Sequence, residues 1–217
     1  MVLPKSVLLA LLVTPKVLAA LLSPTSAGPD VNTGITWTGR IFKNDKDVTT
    51  LTGDATDILA KILAINPDYD ASEIAPDDTT AALLDKRADY RTCAVMATGN
   101  LNELIWASDD LKKLGQNCST PKRDCRRMTC RDTTATYICS ELDTSVSIPC
   151  RDAGDLVDNI LRNCCTGYRS GKAGHIYRDN RVSIWAGYGN CNHAATTRPT
   201  YYGYPGGSNN GVCHYMG

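Results

Sequence analysis

Ten cysteines carry most of the chemistry in this chain: Cys93, Cys118, Cys125, Cys130, Cys139, Cys150, Cys164, Cys165, Cys191 and Cys213, with none before position 93. Such thiols can ligate metal, act as nucleophiles or oxidise in pairs, and their spacing discriminates. Cys125 and Cys130 are separated by four residues, and no CxxC pair of the kind that structural zinc uses is present. Cys164 and Cys165 are adjacent, a geometry that sends each sulfur to a different distant partner. An even set with these spacings predicts five disulfides, no metal site and no other cofactor. The sequence leaves the pairing open.

Other residues suggest further chemistry, each with a plainer structural reading beside it. Lys122, Arg123, Arg126, Arg127 and Arg131 form the densest basic cluster. On a strand Arg127 and Arg131 share one side and Arg126 takes the other, so only part of the cluster can make one binding face for an acidic partner or an anionic membrane. The plainer reading is a sheet edge kept from aggregating by its charge. His175, His193 and His214 fall in predicted loops, and no GxSxG or HExxH motif accompanies them. With Glu103 or Glu141 they would be the acid–base groups of a secreted, ribonuclease-like hydrolase; the plainer reading is surface histidines. Tyr201, Tyr202 and Tyr204, with Gly203, Asn209 and Asn210, could stack on a glycan or pack over a sheet. Asn117-Cys118-Ser119 is a formal glycosylation sequon centred on a cysteine.

The distribution of these residues divides the chain. Residues 1–27 hold Lys5, the apolar run Ser6 to Val13 and small residues at Ala19-Ala20 and Thr25-Ser26-Ala27. This predicts a signal peptide, since Pro15 and Lys16 break the run before it could span a bilayer. Lys86-Arg87 follows Leu84-Asp85 in an acidic stretch and marks a dibasic processing site. Residues 28–87 read as a propeptide and 88–217 as the mature cysteine-rich domain, secreted and extracellular. The propeptide carries 6 Lys+Arg against 11 Asp+Glu, and the mature part 15 against 12. A surplus of three positive charges is too small to argue for nucleic acid, whereas the opposite signs would help the leader sit on the product. No later segment has the length of a membrane span, so no stable membrane insertion is expected.

The elements that must position these residues follow from periodicity. Ile35, Trp37 and Ile41 alternate along one run, Lys43-Asn44-Asp45-Lys46 turns, and a second run lies around Val48 and Leu51, giving a hairpin. Ala55, Ile58, Leu59, Ile62 and Leu63 keep helical spacing until Asn66-Pro67. The leader is thus β-β-α. In the product, Tyr90 to Ala97 contains a strand, and Asn100 with Glu103 proposes a capped helix whose stripe is Leu101, Leu104, Ile105, Ser108 and Leu111, ended by Gly115. Cys125–Arg131 and Thr134–Cys139 form a hairpin about Asp132-Thr133. Ser147-Ile148-Pro149 opens a second helix with Ala153, Leu156, Val157, Ile160, Leu161 and Cys164 inward, and Val182 to Tyr188 is a last strand. The order β-α-β-β-α-β predicts an α+β fold: a two-layer α/β sandwich, with an antiparallel sheet under two helices and disulfide-rich.

Pro149-Cys150-Arg151 through Leu156-Val157 to Cys164-Cys165, a Gly-rich loop, Asp179-Asn180 and the strand ending Tyr188-Gly189-Asn190-Cys191 resemble the cysteine-rich killer toxins of smut fungi and the secreted fungal effectors that look like them. The match covers roughly a third of the product; the spacing between Cys118 and Cys150 departs from the toxin pattern, and the tail after Cys191 is extra. The resemblance implies an α/β sandwich matured from a dibasic precursor. It also implies non-catalytic action on a neighbouring or host cell, through a cell-surface or membrane protein of that target.

Overall fold

A computed structural model describes residues 34–74, 90–93, 96–164, 171–172, 174–178 and 182–199. The expected signal peptide, Lys86-Arg87, Cys165, Cys213, His214, the Asp179-Asn180 loop and the Tyr201–Tyr204 cluster lie outside these residues.

Residues 34–74, the described part of the expected leader, fold as their periodicity predicts. β1 (Ile35–Gly39) and β2 (Thr49–Gly53) form an antiparallel hairpin with Trp37 opposite Leu51. α1 (Ala55–Ile65) follows and buries Ala55, Ile58 and Ile62. Leu63 belongs to the predicted stripe but faces outward at 39 % exposure. Asn66 ends the helix, donating its backbone N–H to the Ile62 carbonyl and its side-chain amide to the Ile41 carbonyl at 2.8 Å.

In the cysteine-rich part, β3 (Tyr90–Cys93) and the two-residue β4 (Gly99–Asn100) precede α2 (Leu101–Leu114). Asn100 caps α2 by accepting from the Asn102 N–H, but the reciprocal bond from Glu103 is not made. The Asn100 N–H donates to Thr134 Oγ1 at 2.8 Å instead, and Glu103 turns toward Arg131. The inward stripe is Leu104, Ala107, Ser108, Leu111 and Leu114, which leaves the expected Ile105 at 43 % exposure. Gly115 stops the helix at a φ of +54°, backbone that favours glycine.

β5 (Asn117–Thr120), β6 (Cys125–Arg131), β7 (Thr134–Ser140) and β8 (Val146–Pro149) come next, and then α3 (Cys150–Asn163). Ser147, Ile148 and Pro149 are therefore strand, correcting the expectation that they open the helix. Pro149 is extended at ψ 132°, its ring suiting it to a sheet edge. The predicted inward face of α3 holds, with Ala153, Leu156, Val157, Ile160, Leu161 and Cys164 all buried. β9 (Gly171–Lys172), β10 (Gly174–Arg178) and β11 (Val182–Tyr188) complete the fold.

Among the described residues every strand pairing is antiparallel, and the protein is α+β and disulfide-rich. The five-stranded sheet runs β3-β10-β11-β7-β6, and a four-stranded sheet runs β2-β1-β5-β8. A one-sided sheet was expected, but β7 is buried along both faces. Ile138, Val182, Ile184 and Ala186 pack into the core with the helices. Ala135, Tyr137, Cys139 and Trp185 form a second cluster on the other side with Met96 and Cys125. Among the described residues four disulfides pin the layers: Cys93–Cys164 ties β3 to the end of α3, and Cys118–Cys150 ties β5 to its start. Cys125–Cys139 bridges β6 to β7, and Cys130–Cys191 holds the segment after β11 on β6. Cross-links on this scale belong to oxidising, typically extracellular, settings. No helix among the described residues is long and apolar enough to cross a membrane.

Candidate functional site

β6 is an edge strand of the five-stranded sheet, and a groove of about 290 Å³ opens beside it. The start of α1 supplies Asp54, Thr56 and Asp57; α2 supplies Glu103, Trp106 and Asp110; β6 supplies Arg127, Thr129 and Arg131. Leader and cysteine-rich part thus share the walls.

The expected basic cluster does not form one surface. Arg123 is engaged by Asp143 through two contacts, 2.5 and 3.1 Å, at a solvent-exposed turn, where the guanidinium holds the Asp143 carboxyl below its ordinary range. Lys122 is exposed in the same turn. Arg126 pairs with Asp124 at 2.8 Å. A β-bulge between Arg127 and Thr129 resets the alternation of β6, so that Arg127 sits opposite Tyr137 but Arg131 opposite Thr134. The two therefore take opposite faces, which corrects the simple alternation of the sequence. Both still border the groove because it runs along the edge of the strand.

Arg127 donates from Nη1 to the His193 carbonyl at 3.0 Å, while its buried Nε has no hydrogen-bond partner. Arg131 lies 4.2 Å above the Trp106 ring and 3.5 Å from Glu103 Oε2. Trp106 is 55 % exposed, an aromatic surface held open by a cation on its face. Thr56 Oγ1 donates to Asp110 Oδ2 at 2.8 Å, linking α1 to α2 across the groove. Burial and the neighbouring Asp57 push the Asp54 carboxyl up to about 6, against the pull of Arg127. Asp54 consequently keeps its proton to a higher pH than an ordinary carboxyl does. With carboxylates and guanidinium groups beside the exposed Trp106 ring, the groove can hold a polar group flanked by a flat apolar surface.

Of the other expected site residues, Glu141 is engaged by Arg198 at 2.5 Å. The exposed His193 ring lies 3.1 Å from the side-chain amide of its neighbour Asn190. His175 lies in β10 rather than a loop. Sequence reasoning missed Asp54, Asp57, Asp110 and Trp106. The one available signal was Trp106 itself, an aromatic residue off the inward stripe of α2. Among the described residues no three His, Cys, Asp or Glu side chains converge as metal ligands. No family model matches the chain, and no curated protein matches it in sequence.

Proposed function

We propose that this chain is a secreted, disulfide-stapled toxin or effector-like protein that acts non-catalytically, by engaging a surface protein of a neighbouring or host cell. The targeting segment, the dibasic pair and the cysteine distribution support export and maturation, and the resemblance to killer toxins supports the mode of action. The observation that carries the reading is the exposed Trp106 stacked under Arg131 at the rim of a charged groove. Trp and Arg are the residues that most often dominate binding energy at interfaces, particularly beside a pocket.

The test uses Trp106→Ala and Arg131→Ala proteins purified from culture medium and shown by circular dichroism to be folded. Fluorescent derivatives are applied to fungal spheroplasts. Surface binding and growth inhibition are expected to fall by about tenfold or more for each, equivalent to about 1.4 kcal/mol. Retention of both at the unsubstituted level would remove the groove rim as the binding face.

A second reading, a secreted hydrolase, draws on Asp54, whose carboxyl titrates at about 6 in the groove that Glu103 also lines. Hydrolysis of RNA or glycan substrates that vanishes in a folded Asp54→Asn protein, and survives separate substitution of His175, His193 and His214, would favour it.

A further inference from the structure

We infer that residues 34–74 stay bound to the cysteine-rich part after the chain is cut between residues 75 and 89, so that the working protein is a two-chain complex held without a covalent link.

The interaction surface on the cysteine-rich part has two components. One is the edge of β5. β1 occupies it with Thr36 opposite Ser119, Trp37 opposite Cys118 and Thr38 opposite Asn117, and Ser119 Oγ donates to the Thr36 carbonyl at 3.1 Å. β1 is an interior strand of the β2-β1-β5-β8 sheet, so its departure would leave β5 and its backbone polar groups as a bare edge. The other component is apolar. Ile35, Trp37, Ile41, Ile58 and Ile62 belong to the same buried core as Leu104, Leu111, Leu114, Met128 and Ile148. Ile35, Trp37, Ile58 and Ile62 have no exposed surface at all, and a segment that leaves readily would not contribute the centre of a core.

Polar contacts fix the register. The last carbonyls of a helix have no partner within it. Here the leader provides them: Tyr69 Oη donates to the Leu114 carbonyl at 2.7 Å, and the Trp37 indole N–H to the Gly115 carbonyl at 3.3 Å. Releasing the leader would strip both from the end of α2. All ten cysteines lie at position 93 or beyond, so no disulfide can retain the leader, and its hold is wholly non-covalent. The leader also forms one wall of the groove through Asp54, Thr56 and Asp57, so a protein lacking it would have an incomplete site. Strand addition to a free sheet edge is an established mode of segment recognition, and its occupant here is this chain's own leader.

The experiment replaces residues 83–88 in the full-length chain with the recognition sequence of a site-specific protease. The oxidised protein is cut to completion and followed by native mass spectrometry and gel filtration. A single species containing both fragments is expected, persisting on dilution to about 50 nM and separating in denaturant without reductant. In the cut protein, Trp37→Ala is expected to release the leader about a hundredfold faster, and Tyr69→Phe, which removes one hydroxyl, a few-fold faster. Should Trp37→Ala fail to fold before cutting, Tyr69→Phe carries the comparison alone. Elution of the leader as a separate fragment under native conditions would overturn the inference, as would release rates unchanged by the substitutions. The readout is mass and needs no target cell, so its failure is separable from a failure of the binding reading.

Discussion

Replacing Asp54 with asparagine should make the protein more stable at neutral pH and flatten its response to acid. Asp54 sits where α1 begins, and burial first, then the neighbouring Asp57, push its carboxyl up to about 6 from 3.8, against the pull of Arg127. The folded state therefore holds the proton more tightly. That contribution to folding is fully present below pH 3.8 and is lost as the pH rises through about 6. A shift of about two pH units corresponds to about 3 kcal/mol at most, and the partial exposure of the groove reduces this to about 1–3 kcal/mol. Asparagine keeps the shape and suits the start of a helix equally well, but carries no charge to desolvate.

Urea unfolding of both proteins at pH 3.5, 5, 6, 7 and 8 checks this. The two should coincide at pH 3.5, and Asp54→Asn should gain about 1–3 kcal/mol by pH 7, a rise of several degrees in Tm. Asp158 titrates the opposite way: burial alone would raise it, but the hydrogen bond from Lys112 and the Lys112 charge hold it below its ordinary range. It stabilises above about pH 4 and fails in acid, in both proteins alike, so it cancels in the difference. A difference that is constant from pH 3.5 to 8, or a variant less stable at pH 7, would refute the reasoning.

Two further outcomes follow from the packing. Gly154 is where α3 crosses α2. A Cβ there would come within 2.8 Å of the Ser108 carbonyl oxygen and of Lys112 Cγ, and Ser108 Oγ already donates to the Gly154 carbonyl at 3.0 Å. Gly154→Ala should destabilise by about 1–3 kcal/mol despite a helix-propensity gain of about 1 kcal/mol, and a raised Tm would contradict that. Removing the buried Cys118–Cys150 bridge with a double alanine substitution frees a cross-link spanning 32 residues, with an expected loss of about 2–4 kcal/mol in urea unfolding. An unchanged midpoint would show that β5 and α3 are fixed without it.

The elements legible in the sequence were those whose signal is local. α3 repeats apolar residues at helical spacing over fourteen residues, and that spacing alone specifies the face it buries. The β1–β2 hairpin, α1 and the β6–β7 hairpin carried alternation or stop signals of their own, with Asp132 taking the left-handed φ of 55° in its turn. β5 and β8 are four residues each, too short to show a period, and exist because each finds a partner far away in the chain. The bulge in β6 is equally silent in sequence, and it decided which way Arg127 and Arg131 point.

By itself the sequence determined the covalent logic: a cysteine-free N-terminal stretch, a dibasic pair, an even set of thiols and the stretches able to form helix or strand. These depend on composition and on neighbours a few residues away. The tertiary structure alone decided that the leader's Trp37 lies opposite Cys118 and that Asp54, Trp106 and Arg131 border one groove. Strand partnership and desolvation depend on which distant segments exclude water together, and no local pattern of residues specifies that.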